Sequence, residues 1–311
     1  MNAGSLVDIP LAGMMVWLAW RAQAGPEPIG AALCFIVLGL LTILAWLRLG
    51  APDVAIAEAA VGTGLTGVLL LEALAAPRPE RPGRSTGVPA ARRLLAVAAL
   101  AGGAVLVAVL LRLPETSGLH AAVRERLPAT GVSSPVTGVL LAFRAYDTLL
   151  EIGVLALAVA AGWGLAGEAP RPRPMSRDPV LDAFARRIVP LGVLVAGYLW
   201  WAGGSRPGGA FQAGTVLGVA WVILILTGLE EGPSPTRWHG RALVVGGFAL
   251  FLAIGLAGPA MAGALLAFPS EWSVNLILLI EAALTISIAA CLASLVALLM
   301  AAGEPGAGAG G

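Results

Sequence analysis

Apolar runs about 20 residues long, separated by short polar or Pro- and Arg-rich stretches, organise the whole chain. A hydrocarbon core of about 30 Å takes about 20 residues of helix, so each run predicts a membrane span. The runs fall at about 6–22, 29–48, 52–76, 94–113, 136–166, 188–203, 209–229, 241–267 and 272–301. The first is the weakest, because Asp8 and Pro10 interrupt its start. Pro52 and Asp53 open the third with helix-start chemistry, proline in the first turn and an acid at the positive end of the dipole. Two linkers, at 77–93 and 167–187, concentrate Pro and Arg and mark boundaries. The expectation is an all-α integral membrane protein of about nine transmembrane helices in three modules, 1–80, 81–170 and 171–311, with three, two and four helices.

Composition agrees with the pattern. The chain is 58% hydrophobic and 12% charged, with a mean hydropathy of +0.89, against about 25% charged for a soluble domain. All 19 basic residues are Arg, so lysine, a common proton-handling residue of ion pumps, is missing. The net charge of +1 gives no case for nucleic acid. Cys34 and Cys291 lie in separate apolar runs and read as inert buried thiols, not as a disulfide or a cluster ligand set. His120 and His239 sit in expected loops without ligand spacing, so no metal site or cofactor is expected. The N-terminus lacks a basic n-region and a clear cleavage site, so no removable signal peptide is expected. Loops after the odd-numbered spans hold 13 Arg and those on the opposite side five. The positive-inside rule then places the N-terminus outside and the C-terminus in the cytoplasm.

The candidate chemistry is the set of acids inside the spans. Arg144, Asp147 and Glu151 fall at i, i+3 and i+7 of the fifth run and project from one helix face. That face must look at protein or water, because an unpaired charge in lipid is costly. Arg144 and Asp147 read as a clamp near the interface, and Glu151, a turn deeper, as the better relay candidate. Glu58 lies about a turn and a half into the third run, followed by Gly62, Gly64 and Gly67. Those glycines admit close helix approach or a local helix irregularity. Glu281 is the charge within the last run, with Thr285 at i+4 as a hydrogen-bond partner. For Glu58 and Glu281 two readings stand: a protonatable relay, or a neutral acid satisfied between helices. Gly208 and Gly209 before the seventh run could form an anion-binding turn, but the rest of a P-loop is missing. A rigid re-entry into the membrane, with Phe211 and Gln212 facing a neighbour, fits this stretch better. Trp200 and Trp201 fit an interfacial aromatic belt just before it.

Three of these stretches carry a resemblance. GAPDVAIAEAAVGTGL (50–65) resembles the module at the C-terminal end of the large Mrp-type cation/proton antiporter protein MrpA, and the D-type subunit of membrane-bound hydrogenases. FRAYDTLLEIGVLAL (143–157) is similar to the E-type subunit of those systems, whose pattern is FRA, an aromatic, then D-T-x-x-E. SRPGGAFQAGTVLGVAW (205–221) resembles MrpB, departing from its PGGGF-x-G-G stretch at Ala210 and Gln212-Ala213-Gly214. Glu281 falls where that family tends to carry Asp.

The resemblance implies a fusion of D-like, E-like and B-like modules in the cell inner membrane. It would stand beside antiporter-like subunits and other small Mrp or complex I-like membrane subunits. It also implies a subunit without catalytic chemistry of its own. Glu58, Glu151 and Glu281 would be ion-translocation sites, with Arg144 and Asp147 as supporting charge. Two other readings remain open: the membrane arm of a redox-driven, complex I-like or hydrogenase-type pump, and a structural adaptor between antiporter-like subunits. A stand-alone secondary transporter fits least, since no inverted repeat is evident.

Overall fold

The computed structural model describes residues 5–25, 27–75, 89–113, 118–166 and 179–302. Among these, every regular element is helical, and six helical stretches are long and apolar enough to cross a membrane. Of the predicted spans, α1 (Ser5–Ala24) and α9 (Pro179–Ala202) fall outside those six, and α10 (Ala210–Leu226) is a shorter apolar helix of 17 residues. Both Pro/Arg-rich linkers lie largely outside the described residues.

Helix α2 (Pro28–Arg48) packs along α1, and the pair is tied at one end by an ion pair between Asp8 and Arg48. Pro28 starts α2, where a missing N–H costs nothing. The third predicted span is not a uniform α-helix. It runs as α3 (Pro52–Ala57), a π-helical stretch Glu58–Leu65, and α4 (Thr66–Ala75). The irregularity expected around Gly62–Gly67 is therefore present and begins at Glu58 itself.

The fifth predicted span is also interrupted. After α5 (Pro89–Arg112) and the short α6 (His120–Arg126), the chain makes α7 (Pro135–Gly138) and a π-helical stretch Val139–Phe143. It breaks at Arg144 (φ −128°, ψ 34°) and resumes as α8 (Ala145–Ala166). Thr148 Oγ1 donates to the Leu140 carbonyl across the break at 2.7 Å, satisfying an acceptor that regular helix would have used. Along α5, every side chain from 93 to 113 is exposed.

The core of the molecule is α12 (Ser273–Ala302), packed by α10, α8 and α11 (Trp238–Ala262). Small residues permit the closest approaches. Gly214 of α10 lies against Ile288 and the Thr285 carbonyl, Gly218 against Leu292, and Gly247 of α11 against Ala283 and Ser287. Between them Ile280, Leu284, Ile288 and Val296 are buried. The register fixes the directions. Ser273 Oγ donates to the Thr130 carbonyl at one end, and Gly162 meets Leu298 at the other, so α8 and α12 run parallel. Pairs Gly214–Ile288 and Gly218–Leu292 make α10 parallel to them as well, while Val244 against Cys291 and Gly247 against Ala283 set α11 antiparallel.

Candidate functional site

The turn from α9 to α10, residues 203–209, is where groups from all three predicted modules converge. Asp53 at the start of α3 accepts a hydrogen bond from Gly208 N–H at 2.9 Å, and Gln212 Nε2 donates to the Asp53 carbonyl at 3.3 Å. From the middle of the chain, Ser133 and Ser134 N–H both donate to the Gly204 carbonyl at 3.0 Å, and Thr137 Oγ1 donates to the Gly203 carbonyl. From α12, Glu281 reaches the same turn. Its carboxylate lies beside Gly203 and Gly209, at the start of α10.

Local sequence explains why the turn holds this shape. Gly208 and Gly209 have φ of +154° and +107°, a region that favours glycine. A Cβ on Gly203 would sit 2.5 Å from the Gly209 Cα, so the chain crosses itself there only without a side chain. The backbone then brings the start of α10 beside two carboxylates. An anion-binding turn at Gly208 and Gly209 is thus what forms, and its anions are the protein's own acids.

Glu281 is 3% exposed. One of its carboxylate oxygens has no hydrogen-bond partner, although it is buried. Thr285, expected as the partner of that carboxylate, instead donates to the backbone carbonyl of Glu281 at 2.7 Å. A hydroxyl four residues on in a helix reaches the i−4 carbonyl more readily than the side chain. Trp200 also turns inward, donating to the Leu278 carbonyl at 3.0 Å, while Trp201 faces outward as an aromatic belt would.

Glu58 occupies a second polar pocket, between α2 and the π-helical stretch. Its carboxylate lies beside Gly62 and faces Gly39 of α2, whose bare backbone also admits Thr63. Thr63 Oγ1 is buried with no hydrogen-bond partner. A carboxylate and an uncommitted hydroxyl thus share a wide-turned piece of helix, a form that recurs at functional sites.

Arg144, Asp147 and Glu151 lie elsewhere. Arg144 and Asp147 form an ion pair with side chains 68% and 49% exposed, and Glu151 is exposed too. The opposite face of α8, with Leu149, Ile152, Ala156 and Val159, is the buried one. The structure therefore does not gather the three glutamates, and among the described residues no hydrogen bond or ion pair joins any two of them. It gathers Glu281 with Asp53 instead. Asp53 was legible as a helix-start acid, but nothing local in GAPD says that its carboxylate crosses to another module.

Comparison with known proteins finds two family matches. Residues 13–78 match the MbhD family, the D-type subunit of MBH. Residues 180–304 match the domain related to the MnhB subunit of Na+/H+ antiporter. A probable K(+)/H(+) antiporter A/B protein from Rhizobium meliloti (strain 1021) is 29% identical over 254 residues, covering 67% of this chain and 25% of that protein. A chain in the structure of the Mrp complex from Dietzia sp. DQ12-45-1b shares the fold, with a TM-score of 0.73 and 22% identity. That likeness covers 93% of this chain and 34% of the other, so the chain spans only a quarter to a third of these relatives. It is a multi-pass membrane protein that joins an MbhD-like region to a domain related to the MnhB subunit of a Na+/H+ antiporter, and it is similar over most of its length to part of Mrp-type antiporter proteins.

Proposed function

We propose that this chain is an ion-translocating membrane component of a multi-subunit Mrp-type cation/proton antiporter in the cell inner membrane, with its N-terminus outside. The observation that carries the reading is Glu281: a buried carboxylate with one oxygen beside Gly203 and Gly209 and the other without a hydrogen-bond partner, at the turn where the predicted modules meet. Such a group can take up and release a proton or a monovalent cation with little rearrangement, and acids at membrane depth lean towards transport roles. Glu58 and Glu151 are the further relay sites, and the Arg144–Asp147 pair positions the segment that carries Glu151. In this reading the D-like (1–80), E-like (81–170) and B-like (171–311) modules are connecting elements beside antiporter-like membrane subunits and small Mrp or complex I-like subunits. Catalytic chemistry is absent from its role. The MnhB-related description names sodium and the relative's name gives potassium, so the cargo in this reading is a monovalent cation.

The test is transport by the purified complex in vesicles, followed by a pH-sensitive dye on addition of NaCl or KCl. Glu281→Gln keeps the size and the acceptor oxygen but removes the charge. The expected result is an assembled complex with cation-driven proton movement reduced at least about tenfold, about 1.4 kcal/mol in barrier. Wild-type rates in an assembled Glu281→Gln complex would remove the role. The match to the MbhD family supports a second reading, the membrane arm of a redox-driven pump. Co-purification of soluble iron–sulfur or nickel–iron subunits would select it.

A further inference from the structure

The outward face of α8 carries charge at a height where lipid is a poor neighbour. Gly153 lies against Phe248 of α11, and the adjoining Gly247 lies against Ala283 and Ser287, near the centre of the 30-residue α12. Glu151, two residues before Gly153, is therefore at about half the height of the helix bundle. Its side chain is exposed and, among the described residues, makes no hydrogen bond or ion pair. Arg144 and Asp147 neutralise each other on the same side, which leaves the face with one net negative charge. Tyr146, Leu150 and Val154, at i, i+4 and i+8, are exposed alongside and give a strip wide enough to seat a helix.

A carboxylate at mid-bilayer is stable beside water, a polar donor or a cation, and not beside acyl chains. A second copy of this chain would bring its own Glu151 to that height, one carboxylate against another, while its Arg144 lies about 10 Å away along the helix and already engages Asp147. We propose that this face of α8 is a buried interface, covered by a transmembrane helix of a different membrane protein of the complex that sets a basic side chain opposite Glu151. Charge complementarity fixes the chemistry of the occupant, and the neighbouring Leu150 and Val154 supply the apolar contact that seats it. The inference rests on the reading of the chain as one component of a membrane complex.

The experiment places a photo-crosslinking amino acid at Tyr146, Leu150 or Val154 in turn, in the full chain in its native membrane, and maps the adducts by mass spectrometry. The expected adduct is on a transmembrane helix of another protein of the complex, within about one turn of a Lys or Arg. Adducts with lipid only, with a second copy, with a helix lacking a basic residue there, or no adduct at all, would overturn the interface. A second measurement reads assembly. Glu151→Arg should lower the yield of intact complex about tenfold by facing two cations, and the matching basic-to-Glu change on the mapped partner helix should restore it. Failure of that restoration also counts against the proposal. A chain that co-purifies with partners but shows only lipid adducts sinks the interface and leaves the reading as part of a complex intact; a chain that purifies alone sinks both.

Discussion

Asp53 and Glu281, which lie 228 residues apart in the chain, meet at one helix start. Gly208 N–H donates to Asp53 Oδ1 at 2.9 Å, and the Glu281 carboxylate lies beside Gly209. The bond to Asp53 docks the N-terminal helices on α10. Asp53→Ala is expected to cost about 2 kcal/mol, the range of a hydrogen bond to a charged group. Asp53→Asn, which keeps an acceptor oxygen, should cost less. Thermal unfolding of the purified complex followed by tryptophan fluorescence checks both. Equal midpoints for Asp53→Ala and wild type would show that the docking does not depend on this bond.

Gly203 and Gly204 are neighbours with opposite tolerance. A Cβ at Gly203 meets backbone, the Gly209 Cα at 2.5 Å and the Gly209 nitrogen at 2.7 Å, whereas one at Gly204 finds the Val132 Cγ1 at 4.0 Å. Gly203→Ala should destabilise by about 3 kcal/mol or prevent assembly, because backbone cannot step aside cheaply. Gly204→Ala should stay within about 0.5 kcal/mol of wild type. Yield and monodispersity on size-exclusion chromatography separate the two.

Thr63 gives a case where stability and transport should part. Its hydroxyl is buried beside Glu58 with no partner. Thr63→Val removes an unsatisfied polar group at similar shape and should leave stability unchanged or raise it by up to about 1 kcal/mol. If the hydroxyl serves an ion at Glu58, cation-driven proton movement in vesicles falls in the same variant. A fall in stability together with full transport would make Thr63 a purely structural residue.

The break before α8 rests on Thr148. Its hydroxyl donates to the Leu140 carbonyl across Arg144, eight residues back. Thr148→Val should cost about 1 kcal/mol and speed amide exchange through 139–148, while Thr148→Ser keeps the bond and much of the protection. Unchanged exchange in Thr148→Val would mean that the break is held by packing alone.

The sequence by itself determined that this is a helical membrane protein. Hydrophobic runs of span length admit few alternatives in a bilayer, where every backbone group must be paired within the segment. It also singled out the candidate residues, because an acid within such a run stands out against its background. Glu58 at an irregular, glycine-rich helix and the Arg144–Asp147 pair were both legible, since each depends on neighbours within a few residues. The tertiary structure decided the rest. Periodicity over 136–166 gave no sign of the break at Arg144, because π-turns change the hydrogen-bond partner without changing the composition. That Glu281 faces a turn 72 residues earlier, with Asp53 beside it, depends on how α10 seats on α12 and α3. Which way a charged face turns is likewise a matter of packing: Leu149, Ile152, Ala156 and Val159 take α8 inward and leave Glu151 outside.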